Sequence, residues 1–130
     1  MIFPFKMKNL TKMITGKKGE NIAVSFLKKK GFQILDTNFR CMFGEIDIIA
    51  LEDGEYVFIE VKTRKSGELG YPEQAVGITK QRKISRVALY YLQAKNLLDV
   101  KARFDVVAVI MSGSKNEVTL IRNAFDFIVS

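Results

Sequence analysis

Histidine is absent from the 130 residues. The commonest general base and the commonest zinc ligand are therefore missing, and any hydrolytic chemistry has to come from carboxylates, lysine and a hard metal ion. Cysteine is nearly as scarce: Cys41 stands alone. No internal disulfide can form, which makes a reducing compartment, the cytoplasm, the expected location, and no partner motif near Cys41 makes it reactive. No run approaches the roughly 20 apolar residues needed to cross a bilayer. The opening Met1-Ile2-Phe3-Pro4-Phe5 is too short for a signal-peptide core, so no membrane association is expected. Repeats and low-complexity tracts are also missing, which leaves a single domain.

What is present describes a globular protein with a genuine core: 48% hydrophobic and 27% charged residues. The charge is uneven. Twenty-one Lys and Arg against fourteen Asp and Glu give a net charge of +7, which favours polyanionic partners such as nucleic acid or an anionic membrane surface.

Residues 1–15 carry Pro4 and no clear periodicity, so they are expected to be an N-terminal arm or extension, with the domain spanning 16–130. From Lys17 to Lys30, Ile22, Ala23, Phe26 and Leu27 recur at helical spacing and Gly31 follows as a stop, which predicts an amphipathic helix. Glu20 lies one turn before Ala23 and Val24, on or beside the buried stripe. Extended segments are predicted at Phe32 to Arg40, Glu45 to Leu51 and Tyr56 to Arg64, followed by a glycine-containing loop, Lys65 to Gly70, and Pro72. A second helix is expected with Thr79 as N-cap and Ile84, Val87, Ala88, Tyr91 and Leu92 on one face. Phe104 to Met111 reads as a buried strand, with Gly113 and Asn116 turning the chain into a last piece, Val118 to Arg122. The order is α-β-β-β-α-β-β, an α/β fold.

The most informative stretch surrounds Asp53-Gly54, a pair that favours a two-residue type I′ turn. That turn sets a register in which Glu52 faces Glu55, Ile48 faces Ile59 and Asp47 faces Glu60. Ile46, Ile48 and Ala50 then share one apolar face with Val57, Ile59 and Val61. The opposite face carries Asp47, Glu60, Lys62 and Glu45. Directly opposed carboxylates weaken a sheet, with Cβ atoms about 4.5–5.5 Å apart, and a cation would relieve them. Two carboxylates plus water suit Mg²⁺ or Mn²⁺. Lys62, two residues beyond Glu60, can orient an attacking water or neutralise charge on a phosphate. The competing interpretation is a solvated face of mixed charge, which fits the Glu52 and Glu55 pair beside the turn.

Asp47 and Glu60-Val61-Lys62 match the Asp and Glu-x-Lys elements of the PD-(D/E)xK nuclease superfamily, with Ile46 where the name-giving proline would stand. Gly19-Glu20, Gly44-Glu45-Ile46-Asp47-Ile48-Ile49, Phe58-Ile59-Glu60-Val61-Lys62-Thr63-Arg64, Lys80-Gln81 and Arg103-Phe104-Asp105-Val106-Val107-Ala108 make the chain resemble the YraN-like family of bacterial proteins. The resemblance runs from about Gly16 to Asp126. It implies a restriction-endonuclease-like fold, a mixed central sheet flanked by helices, similar to the archaeal Holliday junction resolvases. It also implies that Glu20 joins Asp47 and Glu60 as metal ligands, and it suggests a homodimer.

Gln81 falls where related nucleases place a polar residue near the metal; a helix-end hydrogen bond is the alternative. Glu45 is expected to stabilise Lys62 across the ladder, and Asp105 to cap or ion-pair. Lys80, Arg82, Lys83 and Arg86 are candidate phosphate contacts, against the reading of a basic solvated helix face. Three functions follow: a metal-dependent endonuclease acting on structured DNA, a non-cleaving nucleic-acid-binding module, or a protein-interaction factor using the sheet or the Tyr90-Tyr91 surface.

Overall fold

Pro4 fits the first turn of a helix, where its missing N–H costs nothing, and no second proline follows until Pro72. In the computed structural model, which describes residues 3–65 and 76–128 and side chains from residue 10 onward, helix α1 runs from Phe3 to Lys29. It starts well before Lys17. From residue 10 onward the turns before Lys17 leave no periodic trace because Leu10, Met13 and Ile14 stay exposed. Gly31, at φ +97°, ends the helix, and the Phe32 amide donates back to the Leu27 carbonyl at 3.0 Å.

Three strands follow, β1 (Gln33–Cys41), β2 (Gly44–Glu52) and β3 (Glu55–Lys65), then α2 (Ile78–Ala94), β4 (Ala102–Ser112) and β5 (Lys115–Phe125). The order is the one the sequence predicts. The strands form one mixed sheet in the order β1-β2-β3-β4-β5. Every neighbour is antiparallel except the β3 and β4 pair, which is parallel and joined by the α2 crossover. The loop expected at Lys65 to Gly70 with Pro72 begins in β3 and otherwise lies outside the described residues. Among the described residues, no helix is long and apolar enough to cross a membrane.

Both faces of the sheet are covered. Ala23 and Leu27 of α1 bury Ile48, Ala50, Val57, Ile59, Val107 and Val109 on one side. Ile84, Val87, Ala88, Tyr91 and Leu92 of α2 bury Ile46, Ile49, Phe58 and Phe104 on the other. This corrects the expected single apolar face: Ile46 lies in the α2 core, not beside Ile48. Tyr91 belongs to that core, edge-on to Phe39 and Phe58, so only Tyr90 of the pair is exposed.

Local chemistry accounts for other departures. Thr79 lies inside α2, whose N-cap is Gly77 in extended conformation with no side-chain cap. Asn116 pairs with Met111 inside β5, which begins at Lys115. Glu52 and Glu55 are not simply solvated: Arg103 reaches Glu52 at 2.6 Å, Glu55 at 2.7 Å and Asp105 at 2.9 Å, and Arg122 also pairs with Glu52. Asp105, fully buried, accepts the Asn123 amide at 2.9 Å where the β4 and β5 register shifts between Phe104 and Val106. Asn123 is left-handed there, at φ 51°. At the opposite edge β1 shifts register between Ile34 and Asp36, and Asn38 is left-handed at φ 54°.

Candidate active site

The expected turn is present. Asp53 and Gly54 have φ of 50° and 80°, both left-handed as a type I′ turn requires, and the register runs from Glu52↔Glu55 to Ile48↔Ile59. There the ladder stops. Beyond it β2 pairs only with β1, through Phe39↔Ile46 and Arg40↔Glu45. The same stretch of β3 pairs with β4, from Glu60↔Val106 to Lys65↔Met111. The hairpin therefore forks at Asp47, which is why Ile46 changes face. In place of the next ladder bond the Val61 amide donates to Asp47 Oδ2 at 2.8 Å.

Asp47 and Glu60 are thus not a paired rung, yet their side chains line the same space. They lie in a cavity of about 520 Å³. Glu20 enters it from α1, Asp47 from β2, Glu60 and Lys62 from β3, and Lys80 from α2. Lys12, Arg64 and Lys65 add positive charge to its lining. Glu60 is nearly buried and accepts an ion pair from Lys80 Nζ at 2.9 Å.

Burial, followed by the charge of Glu60, pushes the Asp47 carboxyl up to about 8. Burial also raises Glu20, although its hydrogen bond to Asn38 opposes the rise. Lys62 is lowered, first by burial and then by the Lys80 charge. Burial pulls Lys80 down as well, but the hydrogen bond and charge of Glu60 override it and leave Lys80 raised. Between 3.8, the ordinary Asp47 value, and about 8 the folded chain holds a proton that the unfolded chain has released. Stability from this group therefore falls as pH rises through that interval. Thermal melts of metal-free protein across the interval should show the descent, and Asp47→Asn, which keeps an acceptor for Val61, should flatten it. An unchanged slope in the variant would place the titration elsewhere.

The other predicted residues divide. Gln81 does not line the cavity: its side-chain amide donates to the Val76 carbonyl at 2.9 Å, the helix-end alternative. Glu45 pairs with Arg40 at 2.6 Å and not with Lys62, because the fork leaves β1 as its only neighbour. Arg82, Lys83 and Arg86 are exposed on α2, with the Arg86 guanidinium 4.4 Å from the Phe43 ring centre. Among the described residues no group of three or more His, Cys, Asp or Glu is placed to hold a metal ion. Glu20, expected as a third ligand, shares the cavity but bonds to Asn38. The remaining Asp47 and Glu60 pair still fits a hard cation, since Mg²⁺ is commonly held by one or two carboxylates with water and substrate oxygens completing its shell. Their mutual repulsion, which adds to burial in raising the Asp47 carboxyl, is what such a cation would relieve.

Sequence patterning missed three features of the site. Thr11, Lys12 and Thr15 line the cavity from turns expected to be an arm. Lys80 was placed on phosphate, not on Glu60. Asn38 stands between the Thr37↔Ile48 and Phe39↔Ile46 pairs, across from Asp47, and an asparagine within an extended segment was its only signal.

Residues 19–109 match the model of the Uncharacterised protein family UPF0102. The chain belongs to this family. A UPF0102 protein of Caldicellulosiruptor saccharolyticus is 51% identical over 89% of this chain and 100% of its own length. Another, of Syntrophus aciditrophicus, is 49% identical over 86% of this chain and 88% of its own, and one of Caldanaerobacter subterraneus is 43% identical over 92% and 100%. The UPF0102 match, which is the YraN-like resemblance, contains Glu20, Asp47, Glu60, Lys62 and Lys80, and it starts at Gly19. A Cβ on Gly19 would stand 2.0 Å from Thr63 Oγ1, so α1 crosses β3 at a distance only glycine permits. Gly19→Ala should lift the helix, lower the melting temperature by several degrees and withdraw Glu20 from the cavity. A melt matching wild type would show that Thr63 can give way.

Proposed function

We propose that the chain is a metal-dependent endonuclease that hydrolyses phosphodiester bonds in structured, branched DNA. The observation that carries the proposal is the fork between β2 and β3, at which the Asp47 and Glu60 carboxylates and Lys62 line one cavity with basic residues around it. A carboxylate pair flanked by lysines suits a substrate that is itself an anion, and the restriction-endonuclease-like reading of the Asp and Glu-x-Lys residues accords with it.

Asp47 and Glu60 would hold Mg²⁺ or Mn²⁺, which when bound supplies Lewis acidity and offsets phosphate charge. Lys62 Nζ can orient the attacking water or offset the charge developing on the phosphate. Lys12, Arg64 and Lys65 offer charge to the flanking phosphates, and the exposed Arg82, Lys83 and Arg86 extend that field along α2. A symmetric dimer would suit a branched substrate with two equivalent strands, and the cytoplasm is the location this reading assigns.

The second reading is a nucleic-acid-binding module that does not cut. The Lys80 ion pair on Glu60 favours it, since an engaged carboxylate is less available to a cation. Linear, flapped and four-way DNA incubated with Mg²⁺ or Mn²⁺, against a chelator blank, separates the two. Metal-dependent nicking supports the endonuclease. Binding that weakens steeply with salt but never cuts would move the assignment to the module.

A further inference from the structure

Lys80 lies in the cavity with Glu60 and Lys62, and its contacts resemble those of a bound cation. Its Nζ is 2.9 Å from Glu60 Oε1, and Asp47 lines the same cavity. The Glu60 side chain is only 8% exposed, whereas that of Lys80 is 47% exposed. The carboxylate is thus fixed in place and the lysine reaches it from a side open to solvent. Lys80 also sits in the first turn of α2, near the positive end of the helix dipole, where a cation is disfavoured. The ion pair is therefore held from the Glu60 side, and Glu60 is the carboxylate a divalent cation would need.

We propose that Lys80 is the resident counter-ion of Glu60 and competes with a divalent cation for that carboxylate, so that metal binding requires the Lys80 ammonium to withdraw. This rests on the reading of Asp47 and Glu60 as metal ligands. It makes Lys80 a positioning residue that sets metal affinity, a role different from a phosphate contact. The Lys80 ammonium and Mn²⁺ compete for one Glu60 carboxylate, and coupling of this kind is worth roughly 5–150-fold in affinity.

The test is Mn²⁺ titration of the full chain without nucleic acid, followed by electron paramagnetic resonance and calorimetry. Lys80→Met should bind Mn²⁺ on the order of tenfold more tightly than wild type. Lys80→Arg, which keeps the ion pair, should stay near the wild-type affinity. Arg82→Met, which removes an equal charge from the same helix away from Glu60, should change little. Thermal melts supply an arm that needs no metal: Lys80→Met should lower the melting temperature in wild type but hardly at all in a Glu60→Gln background. Equal Mn²⁺ affinity in wild type and Lys80→Met overturns the competition while leaving the metal site standing. Equal tightening by Arg82→Met overturns it in favour of a general field effect. Failure of every form to bind Mn²⁺ overturns both the competition and the metal-ligand reading.

Discussion

Lys62→Ala should lose cleavage on the order of a hundredfold to a thousandfold, the range seen when one preorganised electrostatic contact to a transition state is removed. Its fold and most of its DNA affinity should survive. Lys62 projects from β3 into the cavity two residues beyond Glu60 and is half-buried, so its truncation opens no core. Two carboxylates suffice to retain a cation, and Lys62 is the group whose use requires a substrate phosphate. Asp47→Asn and Glu60→Gln should also lose cleavage, but with weakened metal binding, which the Lys62 variant keeps. The comparison is single-turnover cleavage of four-way and flapped DNA, beside calorimetric metal titration. A Lys62→Ala protein that cuts as fast as wild type would end the catalytic assignment.

The second large effect lies at the other end of the hairpin. Arg103→Met should destabilise the fold by about 3–5 kcal/mol, the cost of leaving a buried charge without its partner. Asp105 has no exposed surface and depends on Arg103 and the Asn123 amide, while Glu52 and Glu55 converge on the same guanidinium. Double replacement, Arg103→Met with Asp105→Leu, should recover part of the loss by removing the stranded carboxylate. Urea unfolding followed by circular dichroism measures both. A loss below about 1 kcal/mol in the single variant would mean that water reaches Asp105 and that the pair behaves as a surface salt bridge.

The hairpin was legible in the sequence because its determinants are local. Asp53-Gly54 dictates a turn type, the turn dictates a register, and five rungs follow without reference to the rest of the chain. The fork was not legible, since it arises where β2 continues along β1 and β3 continues along β4 while the two part from each other. Glu45 was misassigned for that reason: its partner is decided by which neighbour keeps the strand. The long α1 was hidden for a different one. Periodicity reports burial, and a helix that overhangs a cavity buries no stripe. Gln81 and Lys80 are consecutive, yet only Lys80 enters the cavity, because the first turn of α2 determines which side chain points inward. Residue type alone favoured neither.

The left-handed asparagines of the two outer strands, Asn38 and Asn123, have a consequence for how copies of this chain can associate. β1 and β5 are the outer strands, and an outer strand with a regular, unpaired backbone is a template for another chain. Here each border is interrupted, by Asn38 and the shift near Ile34 on one side and by Asn123 and the shift near Phe104 on the other. Such kinks twist the backbone and shorten the regular stretch of each outer strand. Self-association through sheet extension, including the runaway form that ends in fibrils, is thereby disfavoured at both borders. A second copy is expected to dock through side chains.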